Sequence, residues 1–401
     1  MNDYLAIDNV KSIQIDHTSR CNCMCPQCAR VKDGVVNPRM PIDELRVSDY
    51  KVIFPSTIIK QVELITQCGN YGDIVSSSTI LDCLEWLREN GCTAHINIIT
   101  NGSARTADWW KRLASIIGLN GRVAFSIDGL EDTNHLYRVN SNWKRIIENV
   151  NTYIDNGGRA RWDYLIFDYN QHQVEEAEKL AREIGFESFY VKNTSRFIND
   201  KNYLTGEISE EETIQLKKGD SNFSRDYGDS YKIKQPTDEK YRSTSSEKFV
   251  NIIDKHETWE NYINETTINC KFQKQQALFV DFQAKLWPCT WVAAPIHFAK
   301  VNNIQTKQID SLVEHYGSTF NSLRHHSLED VLKHEWFANN LVSSWNSDEK
   351  LMTCGRTCGT DYEFSSSTPA NSKLTKFKIL TKKHGWIKEG EEHFNEYKAM
   401  Q

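Results

Sequence analysis

Between about residue 12 and residue 192 the chain alternates short β-branched or aromatic runs with amphipathic stretches. This alternation restricts the fold more than any other feature. The runs are "SIQID", "QVELIT", "AHINIIT", "RVAFSID", "ARWDYLIF" and "SFYVK"; among the stretches between them are "SSTILDCLEWLREN", "TADWWKRLASII", "NWKRIIENVNTYIDN" and "QHQVEEAEKLAREIGF". In the second set apolar residues recur at three and four positions, the period of a helix with one buried face. Thr106 is placed to start one such helix and Gly185 to end another. Strands alternating with helices form a parallel sheet, because a parallel return needs a long crossover. Six units wound with right-handed crossovers predict an α/β fold, a partial (β/α)6 TIM-like barrel with its helices outside. Ligands of such folds gather at the carboxyl ends of the strands, so the loops after each run are where chemistry is expected.

The loop after the first run contains "IDHTSRCNCMCPQCAR", with four of the chain's eleven cysteines inside eight positions. The start, "MNDYLAIDNVKS", lacks a charged leader followed by an apolar run, and no membrane-length apolar segment follows. The expected location is cytoplasmic, with no membrane partner, and there clustered thiols serve as metal ligands or catalytic groups rather than disulfides. A formal charge of -6 and a pI near 6.1 offer no broad cationic field, which disfavours a nucleic-acid partner. A mean hydropathy of -0.60 with 39% hydrophobic residues is ordinary for a folded, soluble chain, and 401 residues suggest a main domain with a smaller companion.

Cys21, Cys25 and Cys28 form a C-x3-C-x2-C pattern. Three thiolates on one loop suit a soft metal centre: zinc, closed by a fourth ligand such as Cys23 or His17, or an iron-sulfur cluster. A 4Fe-4S cluster normally takes four cysteines, so three leave one iron open to a ligand. Cys23 is read as a packing residue.

The stretch "IQIDHTSRCNCMCPQCAR" resembles the first strand and cluster loop of the radical S-adenosylmethionine (radical SAM) enzymes. The resemblance continues through "CGNYGDI", "IITNGS", "FSIDGLEDTNHLYR" and "YLIFDYNQHQ", over approximately residues 11 to 195. It implies a 4Fe-4S cluster with an open iron site that chelates S-adenosyl-L-methionine. Reductive cleavage then yields methionine and a 5′-deoxyadenosyl radical, which abstracts hydrogen from a substrate C–H bond. By the same resemblance Gly72 and Asp73 contact the cofactor's amino group, Ser126 and Asp128 its ribose hydroxyls, and Arg138 its carboxylate. Asn101, Gly102 and Asn170 are further candidates for lining the cavity. Two departures stand out: Gln27 occupies a position that is often aromatic in the family, and Gly69 to Ile74 replaces its "GGEP" segment. No catalytic acid or base is assigned.

A second group, Cys270, Cys289, Cys354 and Cys358, could fully ligate another 4Fe-4S cluster or a structural zinc. "INCKFQKQQALFVDFQAKLWPC" resembles the start of the SPASM and twitch extensions, which implies one auxiliary cluster in a small C-terminal α+β domain. A glycine of that pattern is replaced near Ala284, and Thr290 stands where the sulfatase-maturing relatives carry an acid after the "PC" cysteine. Asp281 is read as structural, and Trp287 and Trp291 as core residues that could shield a cluster. The expected divisions are a core at 1–195, a polar connecting segment at 196–267, the auxiliary domain at 268–365 and a tail at 366–401. The function implied is oxidation or cross-linking of a peptide or protein side chain; dehydrogenation of a small sugar-like metabolite is an alternative. A reducing partner such as flavodoxin or ferredoxin is implied too. Outside this class stand a non-catalytic iron-sulfur electron carrier and a zinc-stapled binding module.

Overall fold

The computed structural model describes residues 4–32, 35–194, 211–214, 231–242, 251–252, 254–297, 304–347, 349–360 and 373–377. Most of the polar connecting segment and most of the tail lie outside these residues; within the connecting segment a helix, Trp259–Glu265, is described.

Six strands follow the six runs: β1 (Ser12–Ile15), β2 (Leu64–Gln67), β3 (His95–Thr100), β4 (Gly121–Ser126), β5 (Ala160–Leu165) and β6 (Ser188–Lys192). They pair in that order and in parallel. Helices α1 (Ile80–Glu89), α2 (Ala107–Ile117), α3 (Trp143–Asp155) and α4 (Val174–Ile184) make the last four crossovers, and two shorter helices, Val47–Ile53 and Ser56–Gln61, make the first. The architecture is a partial TIM-like barrel with a largely parallel sheet.

Local chemistry explains the helix ends. The Thr106 hydroxyl accepts the Trp109 N–H, and the Asn142 side chain accepts the Arg145 N–H at 3.0 Å, satisfying N–H groups that have no partner inside the helix. Gly185 ends α4 at φ 102°, a left-handed conformation that disfavours side chains with a Cβ.

Side chains alternate across the sheet. Ile13, Ile65, Ile96, Ile98 and Val123 are buried in one core with Leu84, Leu87, Leu113 and Val150 of the helices. Each such aliphatic side chain contributes roughly 1.5–3 kcal/mol by leaving water. The opposite face is polar, with Gln14, Thr66, Asn97 and Arg122 in register across four strands.

Residues 277–287, within the expected auxiliary domain, form a hairpin that joins the main sheet. Strand β7 (Ala277–Val280) pairs in parallel with β1, and β8 (Leu286–Trp287) pairs antiparallel with β7, so the main sheet runs on into the C-terminal region. At the other edge β9 (Lys373–Lys376), from the tail, pairs antiparallel with β6. Backbone hydrogen bonding between chain segments more than 250 residues apart produced the first extension, and local periodicity carries no trace of it. Ala284 takes φ 58° in the turn and so keeps the left-handed conformation a glycine would have supplied.

Candidate active site

A cavity of about 210 Å³ opens among the carboxyl ends of β1 to β6. Cys21, Cys25 and Cys28 line it together with Gly72, Asp73, Ser126, Asp128 and Arg138, so residues spread over more than a hundred positions meet in one place. Cys23 and Asn101 line it too; Asn170 does not. Asn170 is instead a buried brace of the loop after β5, donating to the Asp128 and Leu165 carbonyls and accepting the Phe167 N–H.

The cysteine loop is held by groups that suit thiolates. The Cys21 sulfur accepts the Cys23 N–H at 3.3 Å and the Asn101 amide at 3.8 Å, and Arg138 Nη1 lies 3.7 Å from Cys25 Sγ. The Cys23 side chain lowers the pKa of Cys21 by hydrogen bonding, while its own thiol is pushed well up, so Cys23 supports its neighbour through the proton it keeps. Burial pushes the Cys25 thiol up to about 12, with Arg138 opposing. Arg30, whose role the sequence reading missed, is 5% exposed and donates to the Cys21 and Cys23 carbonyls, tying the loop from beneath. Met24, Tyr137, Val139, Phe167 and Ile233 pack with Cys23 and Cys25 in a small apolar cluster.

His17, weighed as a fourth zinc ligand, has both ring nitrogens occupied: Nδ1 by the Tyr50 hydroxyl at 3.1 Å and Nε2 by Thr79 at 3.0 Å. Among the described residues no three His, Cys, Asp or Glu side chains are grouped to hold a single ion. A mononuclear zinc needs its donors to converge on one point, whereas a cubane spreads its ligands over separate irons. The three thiols around one cavity, with N–H donors at two of them, fit the second kind of centre.

The acidic residues are already engaged. Asp73 caps the loop after β2: its oxygens accept Val75 N–H, Thr100 hydroxyl, and the Asn101 backbone and side-chain N–H groups. Burial nevertheless raises its pKa. Asp128 pairs with Arg138 at 2.5 Å and accepts the Leu165 N–H at 2.7 Å. Two residues expected to hold different parts of a cofactor therefore hold each other. Gly72 has no room for a side chain, because a Cβ would run into the Thr18 carbonyl.

Asp16, at the end of β1, is fully buried, and burial pushes its pKa up to about 7 against two hydrogen bonds from Asn70. The same Asn70 amide donates to Thr290 at 3.0 Å, linking the cavity wall to the residue after Cys289. Asp281 is structural: it accepts the Gln283 and Lys285 N–H groups and the Trp287 indole N–H.

Cys270, Cys289, Cys354 and Cys358 share a second, apolar cavity with Tyr4, Trp291 and Trp345. Cys354 and Cys358 are four residues apart on the helix Met352–Cys358 and so project from one face. Cys270 and Cys289 each cap a short helix, their sulfurs accepting the Gln273 and Val292 N–H groups. Trp291 lines this cavity, whereas Trp287 is core.

No family model matches the chain, and no curated protein matches it. Similar solved structures include Streptococcus suis SuiB bound to precursor peptide SuiA, at 14% identity and TM-score 0.48, covering 84% of this chain and 67% of that one. Another is anSMEcpe with bound AdoMet, at 13% identity and TM-score 0.46, covering 90% of each chain.

Proposed function

We propose that this chain is a radical SAM enzyme that reductively cleaves S-adenosylmethionine and removes hydrogen from a C–H bond of a peptide or protein substrate. The observation that carries the reading is the gathering of Cys21, Cys25 and Cys28 with Gly72, Asp73, Ser126, Asp128 and Arg138 around one cavity at the strand ends. Cys21, Cys25 and Cys28 would hold a 4Fe-4S cluster, which when bound supplies the electron for the cleavage.

The protein's own residues orient and insulate. Arg30 fixes two carbonyls of the loop, Asn101 and the Cys23 N–H donate to Cys21, and Arg138 stabilises negative charge at Cys25 while Asp128 holds its guanidinium. Gly72 lets backbone approach closely where a cationic amino group would sit, and Ser126 offers a hydroxyl to a ribose. Met24, Phe167 and Ile233 pack with Cys23 and Cys25 and would keep water from that side of the loop.

The C-terminal quartet would hold one auxiliary 4Fe-4S cluster, with zinc as the alternative, and a reductant such as flavodoxin or ferredoxin would serve the first site. Anaerobic reconstitution is expected to give iron and sulfide at both sites, and reduction in the presence of S-adenosylmethionine to release 5′-deoxyadenosine. Absence of iron from the N-terminal loop, or release unchanged in Cys25→Ala, overturns the proposal.

A further inference from the structure

At the β5–β6 end of the same cavity, Asp163, Leu165, Lys192, Asn193 and Thr194 form a wall to which no role has been given. Lys192 Nζ lies 2.5 Å from Asp163 Oδ2. Asp163 is already gripped by the Arg161 guanidinium, Nε at 2.5 Å and Nη2 at 3.0 Å, so Lys192 shares an acceptor that another cation occupies. The Lys192 side chain is 22% exposed and that of Asp163 4%. Lys192 is therefore the more accessible partner of this pair.

The next residue, Asn193, is 3% exposed. Its Nδ2 donates to the Tyr241 and Arg242 carbonyls, both at 3.1 Å, which fixes the amide orientation. Its Oδ1 is buried with no hydrogen-bond partner among the described residues. Buried carbonyl oxygens are rarely left so, and Asn193 follows Lys192 along the same cavity wall, so a ligand with an N–H next to an anionic oxygen would match the two. Leu165 adds apolar surface for a short aliphatic linker.

We propose that Lys192 and Asn193 form a subsite for an acidic amino-acid residue of the substrate, the ammonium taking its carboxylate and Asn193 Oδ1 a neighbouring amide N–H. This rests on the reading above that the substrate reacts in this cavity, and it narrows that substrate to a peptide or amino-acid derivative bearing a carboxylate. Arg138 is the cation at a cysteine sulfur, whereas Lys192 pairs with Asp163.

The test uses the full chain, reconstituted anaerobically, and two probes that differ only in charge, N-acetyl-L-glutamic acid α-amide and N-acetyl-L-glutamine amide, with binding followed by ligand-observed NMR titration. The acidic probe is expected to bind about tenfold more tightly or better, as a charge-assisted hydrogen bond predicts. Lys192→Met is expected to abolish that preference and Lys192→Arg to retain it. Equal binding of the two probes, a preference that survives Lys192→Met, or displacement of the acidic probe by 5′-deoxyadenosine or L-methionine would overturn the proposal, the last by assigning the wall to the cosubstrate. Iron content and 5′-deoxyadenosine release, measured on the same protein, report separately on the function itself.

Discussion

Replacing Gly72 by alanine tests how the cavity is assembled. The loop after β2 and the start of the cysteine loop touch through bare backbone: Asp73 N–H donates to the Arg20 carbonyl at 2.8 Å. A Cβ at position 72 would overlap the Thr18 carbonyl oxygen, stand 2.7 Å from its carbon and lie 2.8 Å from the Arg20 oxygen, inside the 3.0 Å that real Cβ contacts respect. No side chain can swing aside, so the two backbone segments must separate, by on the order of 1 Å, just ahead of Cys21. Overpacking of this kind costs about 1–3 kcal/mol of stability. Misplacement by 1 Å near reacting groups can cost about 100-fold in rate. Gly72→Ala should therefore show a modest loss in urea denaturation and a much larger loss in 5′-deoxyadenosine release per bound iron. Wild-type rate and stability together would refute the claim that these segments are held at backbone contact.

Three further outcomes are expected. Arg138→Met strands the Asp128 carboxylate, 1% exposed, without its cation; about 3–5 kcal/mol of stability should be lost, and most of it regained when Asp128→Asn is added, by chemical denaturation. Burial holds the His17 pKa down at about 4 against an ordinary 6.5, so the unfolded chain takes up a proton that the folded one rejects. The contribution of neutral His17, about 3 kcal/mol, is present above pH 6.5 and lost as pH falls towards 4; the wild-type stability curve minus that of His17→Gln should rise through this window, and a flat difference would count against it. Cys23→Ser should leave iron at the loop unchanged, whereas Cys25→Ser should remove roughly one cluster's four irons in an anaerobic iron assay; equal loss from both would make Cys23 a ligand.

Much of this molecule is legible locally. The succession of strands and helices and the helix faces follow from side-chain periods, and Thr106 and Gly185 mark helix ends by chemistry that acts within one turn. The thiol pattern of one short loop is equally local, because spacing along a loop limits which sulfurs can face one centre. By contrast, Arg30 drew no attention as an isolated cation, since only the folded loop brings the Cys21 and Cys23 carbonyls to its guanidinium. The same holds for Asp16, whose titration is governed by burial that no neighbour in sequence reports.

The amino-acid order alone determined the parallel βα succession and the loop on which three thiols stand, because both depend on interactions reaching a few residues. Only the tertiary structure decided that Arg138 leans on Asp128 and that β7 pairs with β1. Those outcomes depend on chain closure over long separations and on the removal of water from charged and polar groups. Their free energies belong to the packed molecule as a whole.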